Sequence, residues 1–179
     1  MLHLPLWYLG KLENSTCDKI IAEMSGIEMR DASIGIDGAE KNHATRNTKV
    51  KFGGPDYWLN DQFEGFAMHA NKECKWDYHV TGRENIQFAE YGPEQHYAWH
   101  TDTFALSGKP TDRKITVVCL LNDEFEGGEF QVRLYNDYTA PLEKGTMIAF
   151  PSILEHRVIP VTSGIRYSAT MWFNGPRFR

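Results

Sequence analysis

The stretch from residue 84 onward most restricts what this chain can become. Seven short segments, "NIQFAEY", "YAWHTD", "KITVVCLLN", "GEFQVRLY", "TMIAF", "EHRVIPV" and "GIRYSATMWF", are separated by clusters of Gly, Pro and Asp. Many short strands with turn signals between them define a sandwich or barrel. The first 83 residues differ in kind. Ile20, Ile21 and Met24 share one side of a short helix over residues 15–24, with Gly26 available to end it. Leu59, Phe63, Phe66, Ala67 and Ala70 recur at helical spacing and predict a second helix over residues 57–71. Between the two, "SIGIDGAEKNHATRNTKVKFGG" reads as two strands joined by a polar loop, and "MLHLPLWYLG" as a packed strand. The expected fold is mainly β with flanking N-terminal helices, a double-stranded β-helix (jelly-roll) core over residues 84–179 supported by residues 1–83, all in one domain.

Composition narrows the partners. Net charge is −5, with no Lys/Arg-rich block, so neither nucleic acid nor an anionic membrane is an expected partner. Cys17, Cys74 and Cys119 are odd in number, far apart and without a C-x-x-C pattern, which argues against a disulfide framework and against a zinc ribbon. No segment approaches the roughly 18 apolar residues of a spanning helix, and the N-terminus has no basic lead-in. The expectation is a reducing, cytoplasmic setting. Nothing here bears on oligomeric state.

One polar constellation stands out among these strands. If "YAWHTD" is a regular strand, His100 and Asp102 project to the same side and can share one ion. His156, in "PSILEHRVIPV", can supply a third ligand from another strand. Two His and one carboxylate on one face of an octahedron leave three positions open, the pattern of non-haem Fe(II) oxygenases. Open positions of that kind suit a bidentate 2-oxo acid and O₂. Arg166 then offers a fixed cation for the distal carboxylate of such an acid, since its planar fork holds a carboxylate bidentately. If residues 162–164 form a three-residue hairpin loop, Arg166 lies opposite Pro160 on the face of His156, about 13 Å along the strand. Taken singly, His100-Thr101-Asp102 and His156 read more readily as structural residues. Their joint occurrence with Arg166 reverses that judgement. His3, His43, His69, His79 and His96 have no comparable context.

The stretches "YGPEQHYAWHTD", "RKITVVCLLND", "GGEFQV" and "LEKGTMIAFPSILEHRVIPVTSGIRYSATMWF" resemble the Fe(II)/2-oxoglutarate-dependent dioxygenases, in the branch of the prolyl 4-hydroxylases and their bacterial and viral relatives. The resemblance implies Fe(II) at His100, Asp102 and His156, and the 2-oxoglutarate C5 carboxylate on Arg166, with Tyr91 near the co-substrate. Some relatives hold that carboxylate with a second residue, a tyrosine, where this chain has Leu120, so Ser168 or Thr116 is the alternative donor. Trp172 is what prolyl hydroxylases carry on the last strand. Its indole can pack on a pyrrolidine ring, although a core aromatic is an equal reading. "ATRNTKVKF" resembles the strand after a substrate lid, which makes residues 34–45 the expected lid; Arg46 and Arg113 are the expected substrate-side arginines. The implied reaction is hydroxylation of a proline-containing peptide or protein, with succinate and CO₂ as co-products and ascorbate as reductant. A hydroxylase of another side chain and a non-catalytic jelly-roll that binds a metal or small ligand are the alternatives.

Overall fold

One strand divides the molecule into two interiors. Along Arg166–Pro176, the odd-numbered Ala169, Met171 and Phe173 enter an apolar core, while the even-numbered Arg166, Ser168, Thr170 and Trp172 line a cavity on the opposite face. This is the period-2 alternation of a strand that is buried on both sides. The computed structural model describes residues 5–33, 42–104 and 109–177. In it Arg166–Pro176 is central to an eight-stranded antiparallel sheet. The order is Tyr8–Lys11, Thr146–Pro151, Thr111–Leu120, Arg166–Pro176, Gln87–Tyr91, Lys49–Phe52 and Arg30–Asp31, with Gly82–Arg83 pairing the far end of Arg166–Pro176.

Two helices cover the outer face of this sheet, Asn14–Met24 and Asn60–Glu73. Their Cys17, Ile20, Phe63, Ala67 and Ala70 join one buried cluster with Ile115, Val117, Cys119, Met171 and Phe173 of the strands. Fully burying a side chain such as Phe63 stabilises the fold by roughly 1.5–3 kcal/mol. The three cysteines are buried and unpaired, in keeping with their irregular spacing. The inner face meets a five-stranded sheet ordered Asp137–Thr139, Phe130–Arg133, Glu155–Val158, His96–His100 and Arg46–Asn47. A short ribbon, Val161–Gly164 with Phe125–Gly127, joins the two layers.

Among the described residues the expected elements are present with local departures, and the strand expected at the start of "SIGIDG" lies largely outside them. The second helix begins at Asn60 rather than residue 57, and the Asn60 side-chain amide donates to the carbonyls of Gly54 and Pro55. "MLHLPLWYLG" forms the edge strand Tyr8–Lys11, paired with Thr146–Pro151. The expected hairpin over residues 162–164 is not formed. Val161–Gly164 pairs instead with Phe125–Gly127, and Arg166 pairs with Tyr91. The cause is a sheet switch at Gly164, whose φ of +76° and close approach to the Glu124 carbonyl leave no room for a Cβ. His156 and Arg166 therefore face each other from different sheets, and the separation along a single strand does not apply. Of the expected lid, residues 34–41 lie outside the described residues; Asn42 turns the chain into Arg46 by accepting from the backbone N–H groups of Ala44 and Thr45. No helix among the described residues is long and apolar enough to cross a membrane.

Candidate metal centre and cavity

Antiparallel pairing brings the first two ligands together. His100 ends the strand His96–His100 and lies opposite His156 in Glu155–Val158, with the ring centroids 4.1 Å apart. Asp102 departs from the sequence expectation, because the strand stops at His100 and the carboxylate projects from the irregular segment beyond it. Two contacts fix it there. The Asp102 N–H donates to the Ser152 carbonyl at 3.0 Å, and the Thr116 hydroxyl donates to Asp102 Oδ2 at 2.8 Å. Thr116 is also 2.9 Å from Ser152 Oγ. The Thr116 hydroxyl, one of the two alternative donors to a 2-oxo acid, is thus engaged with Asp102.

The imidazoles are oriented for coordination. His100 Nδ1 meets the Ala98 carbonyl at 2.8 Å and His156 Nδ1 meets the Leu154 carbonyl at 3.0 Å. A carbonyl can only accept, so each Nδ1 carries the proton and each Nε2 keeps its lone pair. Asp102 Oδ2 lies 3.3 Å from His156 Nε2, Asp102 Oδ1 lies 3.8 Å from His100 Nε2, and the three ligand atoms are within 4.8 Å of one another. Adjacent ligands at ordinary His and carboxylate bond lengths on one octahedral face sit about 3 Å apart, so a small contraction would close this set on an ion. Burial, then the neighbouring His156, lowers the His100 pKa to about 3 and keeps it neutral. Burial opposes ionisation of Asp102, but His156, His100 and Arg113 together hold its pKa below the usual range. The donor set therefore fits a divalent first-row metal.

The three ligands line one cavity of about 250 Å³ together with Tyr91, Arg166, Ser168 and Trp172. Arg166 is 1% exposed, its Nη1 donates to Ser168 Oγ at 3.0 Å, and its Nε–H has no acceptor. Among the described residues no carboxylate lies within ion-pair distance of it. Burial lowers its pKa, with Tyr91 acting in the opposite direction. A buried cation without a counter-charge is costly, and here it faces a space that an anion can enter. Leu120 pairs with Ser168, and Ser168 lies beside Arg166.

At the other end, Arg113 holds Glu84 through two contacts of 2.7 and 2.5 Å and lies 4.0 Å over the indole of Trp172. One face of Trp172 is therefore covered by Arg113, while its Nε1–H has no acceptor. Arg46 lines the same cavity. Tyr97 was not anticipated. It lies three positions before His100, which on a regular strand puts the two on opposite faces. The register runs His156 to His100 but Val158 to Tyr97, so one extra residue bulges between them. The bulge turns Tyr97 inward, where it stacks on His100 with centroids 3.4 Å apart and planes at 12°. Burial raises the Tyr97 pKa to about 12.

Comparison with known proteins agrees with this geometry. Residues 86–174 match the profile of the 2OG-Fe(II) oxygenase superfamily. A PKHD-type hydroxylase of Picosynechococcus is 36% identical over 88 residues, which cover 49% of this chain and 40% of that protein. The chain thus spans less than half of that relative. In structure the chain is similar to a Pseudomonas putida prolyl-4-hydroxylase, with TM-score 0.73, 20% identity and coverage of 97% of this chain and 94% of the other. It is also similar to a Trichoplax adhaerens prolyl hydroxylase in complex with a hypoxia inducible factor peptide fragment, with TM-score 0.72, 19% identity and coverage of 94% and 83%. Similarity at those identities is similarity of fold. The profile match and the ligand set together identify residues 86–174 as a domain of the 2OG-Fe(II) oxygenase superfamily.

Proposed function

We propose that this protein is an Fe(II)- and 2-oxoglutarate-dependent hydroxylase that acts on a prolyl residue of a peptide or protein. The observation that carries the reading is the placement of an uncompensated, buried Arg166 in the same cavity as His100, Asp102 and His156. A site that only stores a metal gains nothing from that cation. When bound, iron with 2-oxoglutarate and O₂ supplies the oxidising power for C–H hydroxylation, with succinate and CO₂ as co-products.

The chain's own residues position and enclose. His100 and His156 would offer Nε2 and Asp102 a carboxylate oxygen to the ion, a donor set that would leave room on the metal for small molecules. Arg166 and Ser168 hold the distal carboxylate of the diacid, next to Tyr91. Tyr97, Phe130 and Phe150 pack on the two imidazoles and limit water around them. Trp172, backed by Arg113, offers an indole surface for a pyrrolidine ring. The solved relative with a bound peptide fragment supports a peptide substrate, and the PKHD-type relative supports hydroxylation. The test is incubation with Fe(II), 2-oxoglutarate and ascorbate against a panel of proline-containing peptides. Succinate formation together with a +16 Da peptide on a prolyl residue is expected. Substrate-stimulated turnover with the mass gain on another residue type would reject the prolyl assignment alone; absence of any 2-oxoglutarate turnover would reject the enzyme reading.

A further inference from the structure

Among the described residues, charge pairing inside the cavity leaves one cation over. Arg113 is matched by Glu84. In the proposed reaction Arg166 is matched by the distal carboxylate of 2-oxoglutarate, and Asp102 with the other carboxylate of the diacid balances a divalent ion. Arg46 has no such match. It is 9% exposed, and among the described residues its guanidinium donates to neutral acceptors, the Ser33 carbonyl at 3.3 Å and Gln87 Oε1 at 3.2 Å. Its Nε–H has no acceptor, and the guanidinium lies 4.6 Å over the Tyr97 ring. Among the described residues, no carboxylate stands within ion-pair distance of it.

Arg46 is too far from Arg166 to be a second anchor for the same carboxylate. Its partner Gln87 pairs with Thr170, whereas Arg166 pairs with Tyr91. Gln87 and Tyr91 are four positions apart, about 13 Å along the strand. Arg46 instead sits beside Tyr97, which stacks on His100, and at the register of Thr170, two residues from Trp172. That is the end of the cavity away from Arg166, which the diacid leaves free for the substrate in the proposed reaction. We propose that Arg46 forms a second anion subsite, which binds a carboxylate carried by that substrate close to the carbon that is hydroxylated. A guanidinium already desolvated and held by Gln87 and Ser33 loses little freedom on meeting a carboxylate, and the resulting charge-assisted bond is strong for that reason. Substrates whose target residue is C-terminal, is a free amino acid, or has an adjacent Asp or Glu all satisfy this requirement.

The inference rests on the hydroxylase reading, and its test separates the two. Each probe is paired with a neutral counterpart: free proline with prolinamide, a Pro-terminated peptide as acid and as amide, and a peptide with Asp or Glu beside Pro with its Asn or Gln form. Binding is measured anaerobically by calorimetry on the metal- and 2-oxoglutarate-loaded protein, and turnover in parallel. At least one acid should bind ten times more tightly than its neutral counterpart, and the pair that shows this identifies the source of the carboxylate. Arg46→Gln should bring that ratio close to one, whereas a purely structural role in holding Tyr97 would weaken both members of the pair equally. If R46Q does not fold, the acid-to-neutral ratio of the unmodified protein still decides. A panel in which no acid outbinds its counterpart overturns the carboxylate subsite, even where 2-oxoglutarate is turned over and hydroxylation proceeds. Loss of 2-oxoglutarate turnover throughout the panel, with anaerobic carboxylate preference intact, counts against the hydroxylase reading instead.

Discussion

The two faces of the strand Arg166–Pro176 enclose opposite kinds of interior. Outside, Ala169, Met171 and Phe173 pack with Phe63 and Ile20 in a core whose members are nearly all apolar. Inside, Arg166, Asp102, His156 and Ser168 are as deeply buried, yet are charged or polar and leave Arg166 Nε and Trp172 Nε1 without acceptors. The outer face holds the sheet together by removing apolar area from water. The inner face sets aside stability at each unmatched group, because a buried charge or donor without a partner is destabilising until a ligand supplies one. The comparison teaches that burial alone does not separate framework from function in this fold. The chemistry of the buried atom does.

That contrast can be broken at several points. Asp102→Ala should show the largest effect, abolishing metal-dependent turnover with metal affinity reduced by more than a hundredfold, since it removes the ligand itself. Retained tight binding of Fe(II) or Mn(II) by this variant, read by calorimetry, would place the metal elsewhere. Phe63→Ala on the outer side should cost about 3–5 kcal/mol of stability in urea unfolding. At temperatures where it is folded its metal affinity should be unchanged, and a coupled loss would erase the distinction between the faces.

Arg166→Met tests the reverse. It should weaken 2-oxoglutarate binding by about 2–5 kcal/mol, as loss of a buried charge partner does. The melting temperature of the ligand-free protein should stay level or rise, because an unmatched buried cation has gone. A clear fall in melting temperature with unchanged 2-oxoglutarate affinity would make Arg166 a framework residue. Thr116→Val keeps the shape and removes the hydroxyl that supports Asp102. Metal affinity should drop roughly 10–100-fold, and an unchanged value would show that the Ser152 backbone contact suffices.

The smallest effect concerns pH. The His100 pKa is lowered from 6.5 to about 3 in the fold. Below pH 6.5 the unfolded chain therefore takes up a proton that the native state refuses, and stability falls as pH drops toward about 3. The slope from this one group is at most about 1.4 kcal/mol per pH unit. Between pH 5 and 6.5 the metal-free His100→Gln protein should show a shallower dependence than the parent. Equal slopes would mean that His100 is protonated in the native state.

Much of the framework was legible because strand and helix periods are local. The β-rich half, both helices, the alternation that sends Arg166 and Trp172 to one face, and the residue types of a two-His, one-carboxylate site can all be read along the chain. What was not legible is each contact that depends on distant pairing. The Thr116 contact with Asp102 is not legible, because Asp102 arrives from a loop fourteen positions away in sequence. Tyr97 was overlooked because a bulge, visible only in the register against Val158, reverses its direction.

By itself, then, the order of residues determined which side chains alternate, where strands start and stop within a few positions, and which chemistry was on offer at His100, Asp102, His156 and Arg166. Only the tertiary structure decided that His156 and Arg166 confront each other from separate sheets, and that Arg46 reaches Gln87. The reason is physical. Periodicity follows from the geometry of consecutive residues, whereas strand order, sheet switching at Gly164 and the bulge at Tyr97 arise from pairing between segments far apart in the chain.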